Sequence, residues 1–199
     1  MPWPEIAALM LFATAMAFTP GPNTTLAAAL AANGGLAHAM RFVCAVPVGW
    51  GLLLLSCAAG LGALLAAQPA LRGAIQWTGL GYMLWLAWKL SRSGRLAEAD
   101  PKRFRVGFGQ GVLLQFVNVK AWMNALLISA GWVAVEGQTL ERLAVVLPLM
   151  MAYGFASNFT YAALGHALRG WLAGGQRLLW FNRVLAGVLV ATAAWMATL

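Results

Sequence analysis

Long apolar runs separated by short polar gaps make up almost the whole chain. Each run is about as long as the roughly 20 residues that an α-helix needs to cross the hydrocarbon core of a bilayer. The pattern predicts six membrane-spanning helices, over residues 5–29, 40–67, 72–90, 107–133, 143–167 and 178–198. Five spans with one re-entrant segment is the alternative count. The longest polar stretch, about residues 89–106, predicts a loop because Gly94, Asp100 and Pro101 suit helices poorly. Residues 1–199 are thus expected to form one integral membrane domain.

The composition supports a membrane protein. Hydrophobic residues make up 62% of the chain and charged residues only 9%, too few charges to cover a protein of this size in water. This excludes a soluble enzyme, a secreted disulfide scaffold and a disordered chain. Cys44 and Cys57 lie in one apolar run and are interpreted as small hydrophobic residues. The first run has no basic residues before it, so it is expected to stay as a membrane helix.

The basic residues indicate orientation. The net charge of +8 does not point to nucleic acid, because the basic residues lie in the gaps between apolar runs. When the gaps are assigned to alternate sides, one side holds Arg41, Lys89, Arg92, Arg95, Lys102, Arg103, Arg105, Arg169, Arg177 and Arg183, and the other holds Arg72 and Arg142. The richer side is predicted to be cytoplasmic, which places both termini outside.

Two halves of three spans each would run in opposite directions, as in the inverted repeats of many secondary transporters. The predicted repeats are about residues 1–91 and 107–199, with the first and fourth helices broken. The matching features are a basic residue six positions before a proline in the second and fifth spans (Arg41 and Pro47, Arg142 and Pro148) and an aromatic residue before an asparagine in the first and fourth (Phe18 and Asn23, Phe116 and Asn118).

Pro20, Gly21 and Pro22 predict a break inside the first span. Prolines remove backbone donors and clash with the preceding turn, and such breaks survive in a membrane only where protein or a wet cavity surrounds them. Asn23 and Thr24 then begin a new helix, whose positive end suits a carboxylate. The alternative is a structural kink that lets helices pack.

Gln115, Asn118, Lys120 and Asn124 interrupt the fourth span. Lys120 and Asn124 are four apart, so they share a helix face, as Gln115 and Asn118 do at a spacing of three. A lysine at the centre of a span costs about 2.5–3.5 kcal/mol on insertion scales, so its ammonium is expected to meet a partner. Backbone carbonyls of a broken helix, an anionic group of a substrate, or water remain open. The alternative is that Lys120 snorkels to the interface.

The fifth span also carries polar residues, namely Tyr153, Ser157, Asn158, Thr160 and Tyr161. Asn158 and Tyr161 are three apart and could face one interior groove. Equally, such residues form ordinary hydrogen bonds between membrane helices. The sequence has no metal-ligand spacing and no catalytic constellation, so no catalytic residue, metal or cofactor is expected.

The polar motifs together resemble the LysE/RhtB family of bacterial amino-acid exporters. The matching stretches are Phe18 to Asn23, Gln115 to Trp122, Tyr161 to Gly165 and Phe181 to Arg183. The resemblance implies six hydrophobic segments in the bacterial cytoplasmic (inner) membrane and export of amino acids or similar small metabolites, driven by the proton gradient.

Two departures from the family pattern bear on mechanism. The family usually has Asn-Pro-Lys where this chain has Asn118-Val119-Lys120, so the second helix break is expected to be softer. The second span has no acidic residue to take a coupling proton.

We therefore hypothesise an efflux permease with a site near the membrane midplane, whose partners are an amino-acid-like substrate and the lipid bilayer, without nucleic acid. A homo-oligomer fits the same expectations. The predicted substrate-binding residues are Pro20, Gly21, Pro22, Asn23, Thr24, Gln115, Asn118, Lys120, Asn158 and Tyr161. The alternatives are an exporter of another small solute or cation, and a non-transporting membrane scaffold.

Overall fold

The computed structural model describes residues 1–93 and 105–198, and every regular element in these ranges is helical. The helices are α1 (Trp3–Phe18), α2 (Pro22–Gly34), α3 (Leu36–Ser56), α4 (Gly62–Ala67), α5 (Pro69–Ser91), α6 (Phe108–Val117), α7 (Val119–Ile128), α8 (Thr139–Ala167), α9 (Arg169–Leu172) and α10 (Arg177–Ala197). Short π-helical turns follow α3 and α7. Most of the predicted loop, with Arg95, Lys102 and Arg103, lies outside the described residues.

Three to five parts of the described chain could cross a membrane by length and composition. Leu36–Leu64, Thr139–Ala167 and Arg177–Ala197 qualify alone, and the bent pairs α1–α2 and α6–α7 each qualify as one span. The predicted third span corresponds to α5, whose 23 residues extend for about 34 Å. Helix α5 carries Arg72, Gln76 and Lys89 among its apolar residues, and it is not among the helices that qualify.

Large apolar side chains cover much of the outer surface. Examples with at least two thirds of the side chain exposed are Trp3, Leu11, Trp77, Leu113 and Leu140. Soluble monomers rarely expose so much contiguous apolar area, whereas a bilayer covers it at no cost. The exposed surface therefore agrees with the membrane location that the composition predicts.

Each broken pair packs against the long proline-containing helix of the other half. Helix α2 lies along α8, and α6 lies along α3, while α3 contacts α8 and α5 contacts α10. Small residues allow the close approach: a Cβ on Gly49 would stand 2.6 Å from the Val112 carbonyl oxygen, and one on Gly165 would overlap the Ala28 carbonyl. The half-helices at the breaks are consequently held in the interior.

Both predicted breaks are present, and the second bends more sharply than the first although it has no proline. The chain bends by 53° between α1 and α2 and by 71° between α6 and α7. Asn118 is extended, with φ −93° and ψ 102°. The indole Nε1 of Trp122 donates to the Phe116 carbonyl at 2.8 Å, which supplies a partner at the end of α6. A hydrogen bond from a side chain in the first turn after the break thus supports a sharp bend without a proline.

Two polar clusters join helices at opposite ends of the bundle. At the end where α1 and α8 begin, Arg142 donates to a Glu5 carboxylate oxygen at 2.7 Å, and the Trp132 indole donates to the Glu5 carbonyl at 3.1 Å. At the other end, the amides of Asn33 and Asn182 exchange two hydrogen bonds of 2.9 Å. Asn182 also donates to the Ser93 carbonyl at 2.8 Å, which ties α10 to the end of α5.

Candidate functional site

A cavity of about 80 Å³ lies where the two helix breaks meet. The end of α1, the first turns of α2 and α7, and the facing sides of α3 and α8 form its wall. Seven of the ten residues predicted from the sequence line it: Gly21, Pro22, Asn23, Thr24, Asn118, Lys120 and Asn158. The structure therefore brings together residues that are as far as 137 positions apart in the sequence (Gly21 and Asn158).

Two helix N-termini contribute to the cavity wall. Helix α2 begins at Pro22 and α7 begins at Val119, and residues of both first turns line the cavity. The backbone N–H groups of Asn23, Thr24 and Lys120 lie in these turns, where a helix has no preceding carbonyl to accept from them. The positive ends of the two helix dipoles therefore favour an anionic group here.

Lys120 crosses from one break to the other. Its half-buried side chain reaches α1, where Nζ donates to the Thr19 carbonyl at 2.9 Å. The sequence left three kinds of partner open for the Lys120 ammonium. The structure shows one of them, the backbone carbonyl of a broken helix. A Cβ on Gly21 would lie 3.2 Å from both Cδ and Nζ of Lys120, so the absent side chain at Gly21 makes room for the lysine.

Tyr161 lies outside the cavity lining. Its hydroxyl donates to the Phe18 carbonyl at 2.9 Å, next to the carbonyl that Lys120 contacts. The two side chains thus satisfy consecutive carbonyls at the end of α1. Asn158 and Tyr161 were expected to face one interior groove, but the structure separates them. Asn158 lines the cavity, whereas Tyr161 bonds to the end of α1.

Gln115 and Pro20 are also outside the cavity lining. Gln115 is fully buried and exchanges hydrogen bonds with Asn23: Asn23 Nδ2 donates to Gln115 Oε1 at 2.8 Å, and Gln115 Nε2 donates to Asn23 Oδ1 at 3.2 Å. Gln115 Nε2 also donates to the Gly111 carbonyl at 3.1 Å. Gln115 is therefore placed to position Asn23, while Pro20 is exposed and contributes only the break itself.

Three carboxamide oxygens in the cavity wall are buried without a hydrogen-bond partner among the described residues. They are Oδ1 of Asn118, Asn124 and Asn158. Asn124 was not among the predicted site residues, although its spacing of four from Lys120 was a signal for it. Asn182 lies in one of the stretches that carry the family resemblance, but its pairing with Asn33 was missed because no local pattern connects residues 149 positions apart.

The family comparison agrees with this geometry. The family described as LysE type translocator matches residues 14–198. The chain belongs to the LysE family. The resemblance inferred from the sequence motifs is thereby confirmed.

Several LysE family relatives are efflux proteins. The chain is 32% identical over 186 residues to the cysteine/O-acetylserine efflux protein of Klebsiella pneumoniae subsp. pneumoniae, with 93% of each chain covered. It is 33% identical over 187 residues to the Salmonella typhimurium protein of the same name, again with 93% of each covered. The Escherichia coli K12 protein of that name is 30% identical over 188 residues, with the same coverage. No solved structure matches the chain significantly.

Membership in the LysE family supports the general function predicted from the sequence. The chain is an efflux transporter of the inner membrane that spans it several times, and the family consists of translocators and not of enzymes. Among the described residues, no group of three or more His, Cys, Asp or Glu side chains could hold a metal ion. The cavity at the two breaks is the candidate transport site.

Proposed function

We propose that this LysE family transporter exports small α-amino acids through the cavity between the two helix breaks. Cysteine and O-acetylserine, which the names of the relatives specify, are the first candidates. One observation carries the proposal: a single small cavity has helix N-termini and a lysine ammonium at its wall together with unpartnered amide oxygens. These are opposite electrostatic environments, as a zwitterion requires.

The carboxylate of the substrate would bind at the helix N-termini. The N–H groups of Asn23 and Thr24 provide donors, and the ammonium of Lys120 provides a charge-assisted partner. Lys120 already donates to the Thr19 carbonyl, so a carboxylate would compete with this bond or share the ammonium with it. Charge-assisted hydrogen bonds are the stronger kind, which favours the carboxylate.

The size of the cavity favours a small solute. One water molecule needs about 10–15 Å³ of such volume, so a cavity of about 80 Å³ has room for roughly five to eight waters. Cysteine has about that number of non-hydrogen atoms, and O-acetylserine has somewhat more. Larger side chains would require the helices around the cavity to separate. We therefore expect small polar amino acids to be transported in preference to aromatic ones.

The two halves would move against each other around the cavity. We count α5 as a membrane span in addition to the five that qualify, which gives six. The two halves are then related as inverted repeats, with both termini outside. The packing of each broken pair on the long helix of the other half supports this relation. The Glu5–Arg142 ion pair and the Asn33–Asn182 amide pair join helices at opposite ends and would open alternately.

The coupling we propose is to the proton gradient. No Asp or Glu lines the cavity in the described part of the chain, so the proposal assigns no carboxylate as the proton carrier. The scaffold alternative predicts Asn23 and Lys120 in dry packing or in lipid, and the cavity that both residues line favours transport instead. An exporter of a cation or another neutral solute is an outcome of the test below.

The deciding experiment is uptake into inverted membrane vesicles that contain the protein. Labelled cysteine and labelled O-acetylserine are the substrates, the twenty amino acids are the competitors, and each assay is run with and without an imposed pH gradient. We expect saturable uptake that small amino acids inhibit and that the gradient stimulates. Vesicles without the protein provide the background. If no amino acid is transported and a cation or other solute is, the proposed substrate class is wrong.

A further inference from the structure

We infer that Asn118, Asn124 and Asn158 form an ammonium subsite, which binds the α-amino group of the exported solute through their three Oδ1 atoms. The inference rests on the proposed function and adds to it the groups that distinguish an amino acid from a simple carboxylic acid. All three residues line the cavity, and all three oxygens lack a hydrogen-bond partner among the described residues. A buried acceptor without a donor costs free energy unless a ligand or water supplies one.

Asn158 shows why its oxygen is available. Its Nδ2 donates to the Gly154 carbonyl at 2.8 Å, and this bond fixes the orientation of the amide because a rotated group would set two oxygens against each other. Oδ1 is therefore held away from Gly154. Only 3% of Asn158 and 2% of Asn118 is exposed, so bulk water does not satisfy these groups.

The number and type of these groups point to an ammonium. A primary ammonium carries three N–H donors and no acceptor, and the subsite offers three acceptors. A carboxylate would be repelled by the same oxygens, and a hydroxyl has a single donor. The ammonium of Lys120 donates to the Thr19 carbonyl and to none of the three amide oxygens, so these oxygens remain for a ligand.

The position of the subsite suggests how a solute connects the two halves. Asn118, Asn124 and Asn158 all belong to the second half, whereas the first turn of α2 belongs to the first half. An α-amino acid with its ammonium on the three oxygens and its carboxylate near Asn23 and Thr24 would bridge the halves. A solute that lacks either charged group would contact only one of these sites.

Three competitors of cysteine uptake distinguish recognition of the amino group from recognition of the carboxylate. 3-Mercaptopropionate keeps the carboxylate and the thiol but lacks the amino group, N-acetylcysteine has the amino group blocked, and cysteine methyl ester keeps the ammonium but lacks the carboxylate. With wild-type protein in inverted vesicles, we expect 3-mercaptopropionate and N-acetylcysteine to compete at least about tenfold more weakly than unlabelled cysteine, a difference that one lost charge-assisted contact accounts for.

The variants Asn118→Leu, Asn124→Leu and Asn158→Leu test the residues. Each should weaken competition by cysteine and leave competition by 3-mercaptopropionate unchanged, so that the ratio between the two falls toward one. Asn124→Asp keeps an acceptor and should preserve the ratio even where a leucine variant fails to fold. Thr160→Val is the matched control in α8, because the exposed Thr160 hydroxyl bonds the Ala156 carbonyl of its own helix.

Two results would overturn the inference. If cysteine is transported and 3-mercaptopropionate competes equally well with the wild type, the subsite is absent while the proposed function stands. If the ratio of competition by cysteine to competition by 3-mercaptopropionate is unchanged in every leucine variant that folds, the amino group is recognised elsewhere. Absence of transport of any amino acid would instead contradict the proposed function itself, together with this subsite.

Discussion

Asn23 and Gln115 bond to each other through both of their carboxamide groups, and this pair joins the start of α2 directly to α6. The two residues are 92 positions apart, and each belongs to a different broken helix. Because one amide supplies a donor and an acceptor to the other, the pair fixes both the distance and the orientation of the two segments. The first turn of α2 owes its placement at the cavity partly to this contact.

Substitution of either residue of the Asn23–Gln115 amide pair should lower the free energy of unfolding, and the two effects should not be additive. Gln115→Leu leaves the Asn23 amide with no side-chain partner, and Asn23→Leu does the same to Gln115. Interhelical hydrogen bonds in membrane proteins contribute about 0.6 kcal/mol on average and about 1.7 at most. We expect a coupling energy within this range in a double-mutant cycle of unfolding in detergent. Strictly additive losses in the two single variants would contradict the contact.

The charge of Lys120 should be required for transport. Lys120→Ala removes the ammonium that is proposed to bind the carboxylate, and Lys120→Met removes it while keeping an extended side chain over Gly21. Both variants should lower the initial rate of cysteine uptake by at least about tenfold, equivalent to about 1.4 kcal/mol. Lys89→Ala is the control, since the Lys89 ammonium lies over the Trp85 ring, 5.0 Å from its centre, and neither residue lines the cavity. Normal uptake by a well-expressed Lys120→Met protein would retire this role.

Adding a side chain at Gly21 should displace the lysine without preventing folding. The backbone of Gly21 is extended, with φ −170°, a conformation that any residue adopts. A Cβ would nevertheless lie 3.2 Å from Cδ and Nζ of Lys120, so Gly21→Val should move the lysine and reduce uptake more than Gly21→Ala. Gly187→Ala is the matched control, because a Cβ there meets no atom within 4 Å. Full uptake by Gly21→Val would show that Lys120 has another route to its partner.

The Glu5–Arg142 ion pair should influence transport more than stability. It is partly exposed, and exposed pairs contribute at most about 1 kcal/mol to folding. If the pair opens during transport, Glu5→Arg or Arg142→Glu should each change the rate of cysteine uptake, whereas the charge-reversed double variant should restore it toward the wild-type value. Uptake that is unchanged in both single variants would show that the pair does not move in the cycle.

The sequence predicts the location of both breaks and seven of the residues that line the cavity, because those signals are local. Pro20 and Pro22 cannot continue a helix, and a lysine inside an apolar run needs a partner wherever it lies. The severity of the second bend could not be predicted in the same way. It is supported by the bond from Trp122 to the Phe116 carbonyl, and nothing in the composition of the segment indicates that contact.

The distinction between lining and supporting residues also required the structure. Spacing along a helix placed Asn158 and Tyr161 on one face, yet Tyr161 bonds to the end of α1 and Asn158 lines the cavity. Asn118 lies between two helices in an extended conformation, so the helical spacing that related it to Gln115 does not apply. For Asn118 the difference arises because a broken helix changes the direction of its side chains at the break. Asn158 and Tyr161 lie in the unbroken helix α8, and the position of α1 against that helix separates their roles.

The bond between Lys120 and the Thr19 carbonyl has a consequence for the direction of traffic. If only the substrate bonds the cation of a carrier, the carrier is trapped after it releases the substrate. An ammonium without a hydrogen-bond partner is costly inside the membrane, so the empty site could not return to the other side. Here the cation has a resting partner within the chain, and that partner belongs to the other broken helix. In the proposed cycle we therefore expect the unloaded protein to reset by itself, which would allow net outward flow with no obligatory exchange for a solute from outside.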